Sequence, residues 1–380
     1  MWVSEIFPTD TSYTVGMSFA RTVSSFLPPP SYMRMLSAGV DISDSSLKYI
    51  KFHPDHTLGN KLSVSYWGDI DIPNGIVQRG VVNDVSGLAS VLHELKKRTG
   101  VDMVRVSLPE ERAYIFETEI PRGTPLSEIH SLLEFRLEEN VPLSPREAVF
   151  DYHIINDPLD TDAIRVSVTA YARETISNYY QACLQADIKP LAFEVEAQAI
   201  ARAGIQTDDT QAYVVVDFGK TRTGVGVVHH GVLMYTSTID IGGQDLSASL
   251  RKQFGDVAES ELTKYKNTVG LIQQAEDTRI YEALLPTMSA VIDEVRTRVE
   301  YWNTRENHRP ERAIQGIVLC GGSVNMKGLP EYFSELINIP AYRADVWQNV
   351  FPDKDVIPDI SRRYSFGYAT AIGLALAAHI

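Results

Sequence analysis

Alternation of apolar and polar positions first becomes regular at Ala38. The segment Gly39 to Phe52 reads as strand, tight polar turn and second strand, and Leu62 to Trp67 supplies a third. Leu88, Val91, Leu92 and Leu95 recur at helical spacing within Val85 to Thr99, and Gly100 marks the stop. Short apolar strands follow at Val101 to Leu108 and Ala113 to Ile120. The texture then changes. A helix opens at Ser127, with Glu128 in its first turn and Ile129, Leu132, Leu133, Phe135 and Leu137 along it, and ends at Asn140 before Pro142 and Pro145. Strands at Val149 to Ile155 and Ile164 to Ala170, then a helix from Glu174 to Ala186, complete a β/α unit of the size of a small inserted subdomain. Glu194 to Ala203 reads as a connecting helix. The opening pattern then recurs: Ala212 to Gly231 is again strand, polar turn, strand, with another strand at Leu233 to Thr238. Asp245 to Phe254, Glu259 to Val269 and Thr287 to Thr304 read as helices. Gly316 to Gly322 is a strand breaking into a glycine turn, followed by helices at Leu329 to Leu336 and Phe366 to Ala378.

Length and charge narrow the field. A chain of 380 residues is long enough for two or three folding units. Its net charge of −14 argues against an electrostatic nucleic-acid binder and against spontaneous adhesion to anionic lipid. Two cysteines, Cys183 and Cys320, show no CxxC spacing, which argues against a disulfide framework or a structural zinc site and for a reducing compartment. Met1 to Ala20 holds Glu5, Pro8 and Asp10 and does not read as a secretory signal. No window reaches the ~18 apolar residues of a spanning helix, so a cytosolic location is expected. Residues 1 to 35, Thr/Ser-rich and then Pro28-Pro29-Pro30, read as a lead-in.

Three segments carry candidate chemistry. Asp41 and Asp217 each end an apolar strand and precede a short turn of Ser, Thr, Gly and Lys. Such a turn gathers backbone N–H groups and hydroxyls around one point, which suits phosphate oxygens. An aspartate at its rim is placed to orient water bound to Mg²⁺, which takes oxygen ligands and retains waters beside phosphates. One such turn is ordinary; two copies 176 residues apart in matching contexts suggest facing jaws around one ligand. The third segment, Leu319 to Pro330, runs from strand through Gly321-Gly322 into a helix and lets backbone approach a flat ligand without Cβ interference. Neither GxGxxG nor GxxxxGK[ST] occurs, which excludes a dinucleotide fingerprint and a P-loop.

These segments, in this order, resemble the phosphate-1, phosphate-2 and adenosine motifs of the actin/Hsp70/sugar-kinase superfamily. Ile239 to Ser247, with Gly242-Gly243, and Tyr364 to Gly373 are similar to the Gly-Gly turn of its second lobe and to its C-terminal helix. From Met35 to Ile380 the chain resembles the PilM family of type IV pilus assembly proteins, relatives of the cell-division protein FtsA. Leu27-Pro28-Pro29-Pro30 with Tyr32, ahead of Ala38 to Ser43, and the insert between 118 and 188 carry that likeness.

The resemblance implies an α/β fold: a two-lobed, duplicated RNase H-like, actin-like ATPase with an inserted FtsA-type 1C (SHS2-like) subdomain, and ATP with Mg²⁺ in the interdomain cleft. It implies a first lobe over 36–117, the insert over 118–188, a connecting helix over 189–210, a second lobe over 211–249 and 316–360, a helical 2B-like subdomain over 250–315, and a C-terminal helix over 361–380 returning to the first lobe. Asp41, Ser43, Ser45 and Ser46 would line one phosphate turn, and Asp217, Gly219, Lys220, Thr221 and Thr223 the other. Gly242, Gly243, Lys266, Gly321, Gly322 and Ser323 would hold the remaining parts of the nucleotide. Asp41 and Asp217 would act on the metal through water. Lys266 to Gly270 fits the family's adenine-side Lys, although Thr263 stands where an acidic residue is common. Lys220 and Arg222 stand where small residues are commoner and serve either phosphate or solvent. Glu194 and Glu196 are the candidates for orienting attacking water, against the alternative of a solvated helix face, and turnover is expected to be slow or absent.

The partner implied is the cytoplasmic N-terminal segment of a PilN-type inner-membrane protein, docked between first lobe and insert and tuned by nucleotide. Only seven residues follow Gly373, so an FtsA-type membrane anchor is not expected. An FtsA-like filament protein and a small-molecule kinase are the alternatives on the same fold. His53-Pro-Asp-His56 reads as a hairpin turn rather than a metal site, and His229-His230 as a turn. The run of Arg296, Arg298 and Arg305 among Asp293, Glu294, Glu300 and Glu306 reads as a solvated helix face.

Overall fold

The computed structural model describes residues 35–55, 61–155, 163–273, 278–305, 312–352 and 356–379. The lead-in before Met35, His56 and Glu306 lie outside the described residues. The chain divides into two units, the first ending at Glu196 and resuming at Leu374, the second running from Ala197 to Gly373.

In the first unit β1 (Ala38–Ile42) is buried along its whole length, Asp41 included, as suits a central strand. It pairs antiparallel with β2 (Ser46–Asp55), and β2 with β3 (Lys61–Asp71). A short hairpin, β4 (Val77–Gln78) and β5 (Val81–Val82), leads to α1 (Val85–Thr99). Asp84 caps α1 by accepting from the Gly87 N–H at 2.9 Å, and Gly100, at φ 68°, closes it. The chain then returns as β6 (Met103–Leu108), parallel to β1.

An inserted sheet follows, with β7 (Tyr114–Pro121), α2 (Leu126–Asn140), β8 (Ala148–Ile155) and β9 (Ala163–Ala172) in strand order β7-β9-β8. Its core is its own: Ile129, Leu133 and Leu137 of α2 pack on Ile120, Phe150, Val166, Val168 and Ala170. After α3 (Arg173–Gln185), β10 (Lys189–Val195) joins parallel to β6 and completes the five-stranded order β10-β6-β1-β2-β3. The expected connecting helix from Glu194 is corrected here, because Glu194 lies in β10 opposite Ser107, and α4 spans Glu196–Gly204. Pairing with β6 overrides the helical preference of the residues around it.

The second unit repeats the sheet. β11 (Ala212–Phe218), β12 (Thr223–His229) and β13 (Val232–Ile239) are antiparallel, β14 (Ile314–Cys320) runs parallel to β11, and β15 (Ala341–Arg343) parallel to β14. The order β13-β12-β11-β14-β15 matches the first unit strand for strand. Between its third and fourth strands stand α5 (Gly243–Phe254), α6 (Glu259–Thr268) and α7 (Arg279–Asn303); α8 (Leu329–Ile337) links the fourth to the fifth. The expected start of α7 at Thr287 is corrected, since the helix carries Pro286 within it and begins at Arg279. The chain closes with α9 (Arg362–Ser365), a single 3-10 turn, and α10 (Ala369–Leu376).

Three smaller expectations resolve. His53 and Asp55 lie in β2, so the expected turn at His53 is corrected to strand, with His53 Nδ1 2.9 Å from Ser65 Oγ. His230 and Gly231 both take positive φ and turn β12 into β13. Arg296 pairs with Asp293 at 2.8 Å and Arg298 with Glu294 at 2.6 Å, but Arg298 also reaches Ser237 of β13, so this face is tied to the sheet as well as solvated.

Candidate functional site

In the first unit the C-terminal ends of β1, β6 and β10 lie side by side and carry Asp41, Ser107 and Glu194. Ligands of open α/β sheets bind beyond this end of the parallel strands. Asp41 is 8% exposed and accepts a hydrogen bond from Ser107 Oγ at 3.0 Å, while the same oxygen accepts from the Ile42 N–H at 3.0 Å. Burial raises the Asp41 carboxyl above its ordinary value, against the opposing pull of Lys48 and the Ser107 hydrogen bond. The turn beyond Asp41 is held by its own hydroxyls. Ser43 N–H donates to the Ser46 carbonyl at 2.9 Å, the two Oγ atoms lie 3.2 Å apart, and Ser45 accepts from the Ile72 N–H. Lys48, opposite Asp41 in register, reaches Ser46 Oγ at 3.5 Å.

The second unit brings most of its expected residues together. Gly219 accepts from the Gly243 N–H and from Ser323 Oγ, each at 3.0 Å, and the Lys220 carbonyl accepts from the Gln244 N–H at 2.9 Å. The turn after β11, the N-terminus of α5 and the glycine turn after β14 therefore form one backbone-lined cradle. Space at its floor is so limited that only glycine fits. A Cβ on Gly242 would lie 2.6 Å from Arg222 N and from the Lys220 carbonyl. One on Gly321, at φ 94°, would strike Asp217 Oδ1 and the Phe218 carbonyl. The N-terminus of α5 points its positive dipole end at this cradle, which suits an anion, while its Gly243 and Gln244 N–H groups already donate to the Gly219 and Lys220 carbonyls. Asp245 fixes that end by accepting from the Gly242 N–H at 2.8 Å.

Lys266 enters the cradle from α6. Its Nζ donates to Ser247 Oγ at 2.8 Å and to the Gly243 carbonyl at 3.3 Å, with Glu259 at 3.5 Å. Burial pulls the Lys266 ammonium below its usual value, offset by Glu259. Thr223 is fully buried and donates to the Ile241 carbonyl at 2.7 Å, so it braces the turn. Lys220 and Gly322 are exposed. Ser107, Lys48 and Ser247 were not expected. The signal for the first was a single hydroxyl at the end of the apolar strand Val104 to Leu108; for Lys48, a cation at the polar position directly after the turn. Among the described residues, no group of three or more His, Cys, Asp or Glu side chains is placed to hold a metal, and no helix is long and apolar enough to cross a membrane.

A duplicated five-stranded sheet with an acidic turn in each copy, and a glycine cradle in the second, defines an α/β protein of the actin-like ATPase fold. Residues 39–379 match the family described as type IV pilus assembly protein PilM, and the chain belongs to that family. Among solved structures, the chain is similar to one from the PilM-PilN type IV pilus biogenesis complex, at 20% identity and TM-score 0.71, covering 91% of this chain and 99% of the other. It is also similar to the ethanolamine utilization protein EutJ from Carboxydothermus hydrogenoformans, at 16% identity and TM-score 0.50, covering 92% and 90%.

Proposed function

We propose that this chain is an ATP-binding scaffold of the type IV pilus machine that receives the cytoplasmic N-terminal segment of a PilN-type inner-membrane protein. Family membership supports the pilus role, and the single observation that carries the nucleotide reading is the cradle formed by Gly219, Gly242, Gly243, Gly321 and Ser323. Its glycine floor and helix N-terminus fit a phosphate chain approaching backbone closely. Gly322 and Lys266 belong to the nucleoside side of the same proposed set, with Lys220 and Thr221 on the phosphate turn. Asp41, Ser43, Ser45 and Ser46 are its first-unit members. The donor set also fits Mg²⁺, which binds through one or two carboxylates plus phosphate oxygens and waters rather than a protein cage; Asp41 and Asp217 are the carboxylates assigned to it. Bound Mg-ATP would supply the charge that these turns neutralise.

Hydrolysis is slow in this reading. Glu194 and Glu196 are assigned to orienting water, and Glu194 sits in register with the Ser107 that holds Asp41. The partner segment docks between the first unit's main sheet and the inserted sheet, and brings the chain to the inner face of the cytoplasmic membrane. Nucleotide acts by favouring one of two arrangements that bind this segment unequally.

Calorimetric titration of the full chain with a PilN-type N-terminal peptide, with and without Mg-ATP, tests this. Binding whose affinity changes with nucleotide is expected. No binding in either condition would overturn the adaptor role, and binding indifferent to nucleotide would overturn its regulation.

A further inference from the structure

The turn after β1 is tied to a second turn that neither binding nor chemistry requires. Asp44 sits at the centre of 43–45, and its carboxylate accepts from two successive backbone N–H groups, Arg79 to Oδ2 at 3.1 Å and Gly80 to Oδ1 at 3.2 Å. Arg79 and Gly80 form the two-residue loop of the β4–β5 hairpin, both at positive φ, as a type I′ turn requires. Arg79 holds that backbone without being glycine or asparagine, a strained choice that the paired hydrogen bonds donated to Asp44 offset.

The far side of this loop meets the two chain segments that join the inserted sheet to the main one. On the incoming side, a Cβ at Gly80 would overlap Pro109, and Arg112 Nε donates to the Arg79 carbonyl at 3.3 Å. Residues 109 to 112 lead directly into β7. On the outgoing side, the buried Tyr179 of α3 donates its hydroxyl to the Gly80 carbonyl at 3.2 Å, and Tyr171 at the end of β9 donates to the Pro109 carbonyl at 3.2 Å. The Tyr179 hydroxyl stays protonated through the physiological range because burial, and the negative charge of Glu196, Asp44 and Asp41, raise it well above its usual value.

We propose that Asp44 is the positioning residue through which the state of the Asp41–Ser46 turn reaches the inserted sheet, by way of the Arg79–Gly80 loop and its contacts with Pro109, Arg112 and Tyr179. The proposal rests on the nucleotide reading above and names the path by which that ligand acts on the partner surface. A carboxylate gripping two adjacent N–H groups transmits displacement in a way that one flexible contact does not. The loop it grips is wedged between both connections to the insert, so a shift of the first turn cannot be absorbed locally.

Amide hydrogen exchange of the full chain, with and without Mg-ATP, tests this. In the wild type, slowed exchange is expected at 43–46 and, by at least about fivefold, the low end of ordinary coupling between sites, at 77–82, 109–121 and 173–185. In Asp44→Ala the slowing at 43–46 remains and the slowing at 77–82 and 109–121 is lost; Asp44→Asn, which keeps one acceptor oxygen, restores part of it. Tyr179→Phe, which preserves the ring packing, should retain the slowing at 77–82 and weaken that in 173–185. It serves as the second variant should Asp44→Ala fail to fold. Slowing confined to 43–46 in the wild type, or unchanged spread in both Asp44→Ala and Tyr179→Phe, overturns the path while leaving nucleotide binding intact. No slowing at 43–46 or at 219–222 would overturn the nucleotide reading and this one with it.

Discussion

Asp41, assigned to the metal in the proposed function, shows at the scale of a single side chain what burial does to a carboxylate. A carboxylate buried at the end of a central strand loses hydration, and Lys48 and Ser107 return only part of it, so its carboxyl is held above the ordinary value of 3.8. The folded state therefore keeps this proton at a pH where the unfolded chain has released it. Ionising the folded group costs stability at neutral pH, and that cost disappears as pH falls to 3.8 and below. Asp41→Asn keeps an acceptor for Ser107 and removes the charge. It should raise the melting temperature near neutral pH, with the gain shrinking as pH falls towards 3.8, while Mg-ATP affinity drops. A variant less stable than wild type at neutral pH would contradict this account. The aspartate itself was legible in the sequence from the turn that follows it. Ser107 was not, because a serine in an apolar run acquires meaning only when strand pairing sets it beside Asp41.

Elements were legible where the pattern was local and decided by period. Both strand–turn–strand openings, α1 with its Gly100 stop, and the helix and strands of the insert read directly from apolar spacing. The misread elements are those whose outcome depends on distant partners. Leu191 to Ala203 is apolar and alanine-rich, so its period is ambiguous, and only pairing with β6 turns its first part into β10. The helix expected from Thr287 begins a full two turns earlier, because Leu284, Met288, Val291 and Ile292 bury one face continuously across Pro286 and hold α7 together. The inserted sheet carries one element that its apolar pattern does not explain. Arg165 on the central strand is 3% exposed and pairs with Glu117 of β7 at 2.5 Å, on the face opposite Val166 and Val168. Removing one partner of a buried pair leaves a charge without compensation and costs about 3–5 kcal/mol. Glu117→Leu should therefore lower the stability of the insert by that amount, read as faster exchange through β7, β8 and β9 with the main sheet of the first unit unaffected. An unchanged insert would show that Arg165 is satisfied without Glu117.

Across the whole molecule, one sheet topology is used twice and elaborated at different places. The first unit receives its insert between the fourth and fifth strands, and the second receives its helices between the third and fourth. In both, the turn after the central strand is left short and polar, because elaboration there would displace the aspartate from the strand end. The two acidic turns therefore stand 176 residues apart in matching strand–turn–strand settings. This arrangement also makes the nucleotide reading testable on stability as well as on partner binding. A ligand that binds only the folded chain stabilises it by RT ln(1 + [L]/Kd), about 2.7 kcal/mol at a hundredfold excess over Kd. For units of this length, that corresponds to a rise in melting temperature on the order of 5–10 °C. Thermal unfolding in rising Mg-ATP should show such a shift in the wild type, growing with the logarithm of concentration. Asp41→Ala and Asp217→Ala should each lose most of it while remaining folded without ligand. EDTA should reduce the shift in the wild type and have little further effect in either variant. A full shift in both variants would remove these two carboxylates from the metal, and a shift unaffected by EDTA would remove the metal itself.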